Sequence, residues 1–362
     1  MSNLSLRRCV TIFLAISGMC VGISAGPQDR AQPSAGEPGP AITGKMSPAE
    51  LTRGLDEYLA ARAADGRFAG VVLVAKDGEK VFERGYGIAR RETKDPITAD
   101  TRFNYASIGK AFTKVAIGQL VGAGKLTTSD TLGKLLPEYP NRDALGATVD
   151  QLLEHRGGVV DFFGPRFEAA PKDRFTSNAE YFKFVAPEPL LFAPGTRRQY
   201  CNGCYIVLGE IIAKLSGMPY ERYIEERVFK PAGMTTAGFL SYGDPGVATG
   251  YTGQSGDLSA IPNHGQRGSA AGGSFGRAAD LLAFDNALRE RRLLDAKGTA
   301  WFYGAEPVHT GRAAGAIGIG GGARGANCVL EANGTWTIAV TGNLDPPNAS
   351  RVGQAIRAAL RN

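Results

Sequence analysis

Two rhythms of apolar positions divide this chain. From Ser47 onward, Leu51, Leu55 and Leu59 recur at helical spacing, and Glu50 completes a capping box with Ser47. The pattern then switches to strands. Ala69–Ala75 is nearly all apolar, Asp77-Gly78 marks a turn, and Lys80–Ile88 forms the second arm of a hairpin. A strand without a polar face is covered on both sides. Helical spacing returns at Ser107, with Phe112, Val115, Ala116 and Leu120 on one stripe, and Gly122 and Gly124 end it. Helical pieces at Val149–His155, Asn178–Val185, Tyr205–Leu215, Tyr220–Val228 and Ala278–Glu290 then alternate with long Gly/Pro-rich connections of the kind that carry function. Strands return at Ala316–Ile319, Ala326–Glu331 and Thr335–Asn343, with Asn333-Gly334 as a hairpin turn. A last helix over Ala349–Leu360 aligns Val352, Ile356 and Leu360. Strands at both ends and helices between predict an α/β (α+β) fold. One antiparallel sheet is built from both chain ends and flanked by helices, with a mostly helical lobe inserted.

Composition changes little: 43% hydrophobic and 21% charged residues are ordinary for a globular protein. The first residues change more. Arg7 and Arg8 precede an apolar run, Cys9–Ile23, that is short for a membrane span, and Ser24-Ala25-Gly26 offers a cleavage site. This predicts a signal peptide over 1–25, a flexible linker over 26–45 rich in Pro, Gly, Ala and Gln, and a single domain over 46–362. Its sheet part falls at about 46–105 and 300–362 and its helical lobe at about 106–299. The expected protein is exported, periplasmic or extracellular, with no membrane span once the signal is cleaved. Cleavage lowers the net charge from +6 to +4. Basic residues are scattered without interleaved aromatics, which speaks against nucleic acid.

Cys201, Cys204 and Cys328 remain after cleavage. Cys201-Asn-Gly-Cys204 has metal or redox spacing, but only His155, His264 and His309 could complete a zinc site, and no βαβ context surrounds it. The three are read as buried packing cysteines, with a local disulfide as the alternative.

Ser107 and Lys110 share one helix face at the positive end of the macrodipole. Chance supplies Ser-x-x-Lys readily, and a cap serine followed by a surface lysine explains it equally. A second motif decides. Phe192-Ala-Pro-Gly-Thr196 precedes Tyr200-Cys-Asn202 and a helix. Together Ser107-Ile-Gly-Lys110 and Tyr200-x-Asn202 resemble two signatures of the serine β-lactamase-like hydrolases, the group of class C β-lactamases, D-alanyl-D-alanine peptidases and related esterases. Ordered matches extend the resemblance through the mature chain: Leu152-Leu-Glu-His155-Arg-Gly-Gly158, Phe229–Met234, Arg267–Gly273, Gly321–Asn327 and Asn343–Pro347.

The resemblance implies a covalent acyl-enzyme. Ser107 is the nucleophile, Lys110 and Tyr200 are the acid–base pair in either order, and Asn202 holds substrate and touches Lys110. The backbone N–H groups of Ser107 and Gly322 form the oxyanion hole, and Gly320, Gly321 and Gly322 let backbone approach the substrate. No metal or organic cofactor is implied. The partner is a small ester or amide, or a cell-wall-type peptide.

The third signature departs from the family pattern. Where relatives carry Lys-Thr-Gly, His-Thr-Gly or His-Gly-Gly, this chain reads Ile319-Gly320-Gly321. A literal His309-Thr-Gly311 lies in a polar stretch read as a hairpin turn. Ile319 can neither support Tyr200 electrostatically nor bind a carboxylate, so the reading is weak β-lactamase activity and uncharged substrates, with Arg324 restoring a cation at the rim. Two rival readings compete with this one. Gly272-Gly-Ser274-Phe-Gly276 matches a nucleophile elbow, but no strand precedes it. Alternatively, the fold persists as a peptidoglycan- or protein-binding module with weakened chemistry.

Overall fold

The helix predicted after Ser47 is α1 (Pro48–Ala64), closed at its start by the expected capping box. Glu50 Nα donates to Ser47 Oγ, and Ser47 Nα donates to Glu50 Oε2 at 2.9 Å. This computed structural model describes residues 38–254, 256–305, 312–313 and 315–361. The signal peptide, most of the linker and His309-Thr-Gly311 lie outside the described residues.

The hairpin follows as β1 (Gly70–Lys76) and β2 (Glu79–Tyr86), and the late strands are β3 (Ile317–Ala323), β4 (Ala326–Ala332) and β5 (Trp336–Gly342). They form one antiparallel sheet in the order β2-β1-β5-β4-β3, so β1 from one end of the chain pairs with β5 from the other. Val71 lies opposite Thr341 and Leu73 opposite Ala339. Both faces of β1 are covered, as its apolar run required. Val72 and Val74 pack with Leu51, Leu55 and Leu59 of α1 and with Val352 and Ile356 of the last helix. Val71, Leu73 and Ala75 face the main core. Each such side chain withdrawn from water contributes about 1.5–3 kcal/mol.

The helices that matter for the site are α2 (Gly109–Gly122), α3 (Asn178–Val185), α4 (Asn202–Ser216), α5 (Ala278–Arg289), α6 (Ala296–Tyr303) and α7 (Asn348–Leu360). Among these, α2 is buried on nearly every side, with Phe112 edge-on to both Phe229 and Phe284. The lobe is fastened to the sheet through a buried ion pair. Asp285 of α5 accepts from Arg289 Nε, from Tyr303 Oη of α6 at 2.9 Å and from Thr337 Oγ1 of β5 at 2.8 Å.

Two expectations need correction, and one further element is new. The strand predicted at Ala316–Ile319 runs on to Ala323, because every residue of the glycine run is paired with β4. Cys201 and Cys204 are not separate packing cysteines but a disulfide, and Cys328 is buried and free. A two-stranded hairpin, Tyr251–Gln254 with Asp257–Ala260, was not foreseen, since its polar residues lack a clean alternation.

Candidate active site

Ser107 does not cap a helix. It sits inside a single 3-10 turn, Ala106–Ile108, that leads into α2, and no side-chain cap bond is made at either junction. The residue before it, Ala106, is held at φ 46, in the left-handed region that alanine avoids. Neighbouring backbone enforces this. Gly273 Nα donates to Ala106 O at 3.1 Å, and a Cβ on Gly272 would stand 2.2 Å from that same oxygen. The segment Ser269–Gly273 therefore forms the floor under the Ser107 turn.

On the opposite side stands β3. A Cβ on Gly321 would lie 2.3 Å from Tyr105 O and 3.1 Å from Ser107 Nα, so only glycine fits against the turn. Side chains alternate along a strand, so Ile319 shares this face. It is buried in the main core rather than offering a charge. Gly320 and Gly322 point to the other face. Arg324 is exposed in the turn between β3 and β4.

Two side chains converge on Ser107. Tyr200 Oη donates to Ser107 Oγ at 2.7 Å, and Lys110 Nζ lies 3.3 Å from the same oxygen. Lys110 is buried, and its Nζ also donates to Asn202 Oδ1 at 2.7 Å and to Ala271 O at 2.6 Å. The last two partners can only accept. A neutral amine would spend its two N–H groups on them and leave its lone pair for Ser107 Oγ. The rings of Tyr200 and Tyr205 flank this nitrogen, with centroids 4.8 and 5.4 Å from Nζ.

Asn202 is the first residue of α4, and the cap position belongs to Cys201, whose Sγ accepts from Cys204 Nα at 2.9 Å. The Asn202 amide is consequently free to point inward. Its Nδ2 donates to Asp161 Oδ2 at 2.8 Å, which fixes the orientation, because a carboxylate only accepts.

Sequence reasoning assigned no role to Asp161, Ala271 or His155. Asp161 and Ala271 reach the site through a position that only the fold supplies, although Ala271 lies within the motif Arg267–Gly273. His155 lies within the motif Leu152–Gly158. It is buried at φ 62, and burial first, then the Lys110 and Arg198 charges, pull its pKa down to about 3. It is neutral and is no acid–base group at ordinary pH. Among the described residues no group of three or more His, Cys, Asp or Glu is placed to hold a metal ion.

Comparison with known proteins gives this geometry its context. The family model described as Beta-lactamase matches residues 55–362. The penicillin-binding protein PbpX of Bacillus subtilis is 34% identical over 234 residues, 64% of this chain and 57% of that protein. Esterase EstB of Burkholderia gladioli is 31% identical over 212 residues, 54% of this chain and 53% of that protein. Both alignments thus span little more than half of the relative's length. Among solved structures, a penicillin binding protein from Bacillus halodurans superposes with a TM-score of 0.72 at 25% identity, covering 82% of this chain and 98% of that one.

Proposed function

This chain belongs to the beta-lactamase family, and from that premise we propose that it is a serine hydrolase working through a covalent acyl-enzyme. One observation carries the reading: Ser107 Oγ sits within hydrogen-bonding reach of both Tyr200 Oη and Lys110 Nζ. With the Tyr200 proton directed at Ser107, the serine's own proton is directed at Lys110, so Lys110 is the base of the first step. Ser107 Oγ bonds to the substrate carbonyl carbon as its proton passes to Lys110. The carbonyl oxygen takes the negative charge beneath the Ser107 and Gly322 N–H groups. As the tetrahedral adduct collapses, the bond to the leaving group breaks and Tyr200 gives that group its proton. The proton held on Lys110 then returns to Tyr200; water adds to the acyl carbon as its proton passes to the same pair, the bond to Ser107 Oγ breaks, and Ser107 Oγ takes that proton back.

The substrate is an uncharged ester or amide, or a peptide of cell-wall type. Ile319 supports this, because a buried isoleucine offers nothing to a carboxylate. Phe163, about half exposed two residues past Asp161, adds an apolar surface. β-Lactams, which carry a carboxylate, are poor substrates on this reading, with Arg324 at the rim as the remaining cation. The N-terminal pattern Arg7-Arg8 followed by Cys9–Ile23 supports export, which N-terminal sequencing of the mature protein would test by starting at Gly26.

The chemistry is tested by exposing the purified protein and its Ser107→Ala variant to a fluorophosphonate and to a fluorescent penicillin, beside p-nitrophenyl esters. Labelling and ester turnover that require Ser107 are expected. Silence with every probe would instead favour a binding module on the same fold.

A further inference from the structure

The proton on Tyr200 is useful only if the ring stays aimed at Ser107, yet Tyr200 lies at the end of an irregular stretch, outside α4. One residue holds it from three directions. Gln199 Nα, just before Tyr200, donates to His155 O at 3.0 Å. Cys201 Nα, just after it, donates to His155 Nδ1 at 3.1 Å. The imidazole itself lies against the phenol ring, with centroids 4.6 Å apart and planes inclined by 32°. A histidine in ordinary backbone geometry has no reason to occupy φ 62, and this one makes both bonds from there.

We propose that His155 is the positioning residue for Tyr200, clamping the backbone on both sides of it and fixing its ring. The inference rests on the acyl-enzyme reading. His155 transfers no proton. Because Nδ1 accepts, the ring proton resides on Nε2, where no partner among the described residues receives it. The imidazole is thus committed to one tautomer and to one role.

His155→Asn separates the parts of the clamp. Asparagine tolerates the left-handed backbone and keeps an acceptor near Nδ1, but removes the ring behind Tyr200. A misplaced donor harms poor leaving groups most. Turnover of an anilide or peptide should fall about 10–100-fold at nearly constant KM, while a p-nitrophenyl ester loses less than about 3-fold. In a Tyr200→Phe background the same substitution should cost less than about 2-fold, since the group it positions is gone. Equal losses on both substrates, or a full loss in the Tyr200→Phe background, would overturn the proposal. His155→Phe, which keeps a ring and drops the acceptor, is read in the same two backgrounds should His155→Asn fail to fold. Ser107→Ala and Tyr200→Phe are measured alongside. If Ser107→Ala stays active, the acyl-enzyme reading fails. If it is dead while the His155 effect ignores Tyr200, only the present inference fails.

Discussion

Holding an imidazole neutral in a protein core ties stability to pH. His155 falls from an ordinary 6.5 to about 3, chiefly because burial penalises its cation. Between those values the unfolded chain binds a proton that the folded one refuses. Stability is therefore complete above about pH 6.5 and is lost as pH falls toward 3, by up to about 1.4 kcal/mol for each pH unit crossed. Thermal melts of wild type and His155→Asn at about pH 7 and pH 4 test this. The variant's midpoint should drop less on acidification, and equal drops would exclude His155 as the cause. At this scale the sequence displayed the candidate nucleophile, the lysine and the Tyr-x-Asn motif, because each is a local pattern on one turn. Asp161 and His155 were not legible as site residues. Their partners, Asn202 and Tyr200, stand far along the chain, and only the packing of the loop after Leu153 against the start of α4 joins them.

Two elements meet at Ser107, and each can be perturbed alone. The first is β3. Gly321→Ala drives a methyl into the backbone of Tyr105 and Ser107. Acylation should fall by at least about 100-fold, with a stability loss of about 1–3 kcal/mol. Gly318→Ala, where a Cβ meets nothing within 4 Å, is the control, and acyl-enzyme formation followed by stopped-flow should be unchanged. The second is the start of α4, where the disulfide brackets Asn202 between Cys201 and Cys204. So short a loop constrains the unfolded chain little, so global stability should scarcely depend on the bond. Local order should depend on it. Mild reduction should lower kcat several-fold with a nearly constant melting midpoint, and reoxidation should restore the rate; an unaffected rate would show that the bond is idle. The length of β3 was hidden because a glycine run scores as loop. Its strand character comes from the ladder to β4, which local propensity does not contain.

Across the whole molecule, the joint between lobe and sheet is ionic and dry. Asp285→Ala would leave Arg289 buried without its partner and free the hydroxyls of Tyr303 and Thr337. A loss of about 3–5 kcal/mol is expected in urea unfolding, far more than for an exposed pair such as Arg222–Glu226. A loss below about 1 kcal/mol would mean that the joint does not fasten the lobe. The gross architecture was legible, because apolar runs at the two ends of a chain have few partners other than each other. The order of the strands was not, since hydropathy does not say which pair is central.

That order has a consequence in time. Val71 finds Thr341 only after β5 has been made, and Gly321 comes to rest against Ser107 only with β3. Closing so distant a pair is slow, and nothing earlier substitutes for it. A ribosome-bound chain that has emerged as far as α5 already carries Ser107, Lys110, Tyr200 and Asn202, yet has no wall against which a carbonyl could be polarised. On the proposed acyl-enzyme reading the chain is thus inert until β3 arrives to complete the site at Ser107.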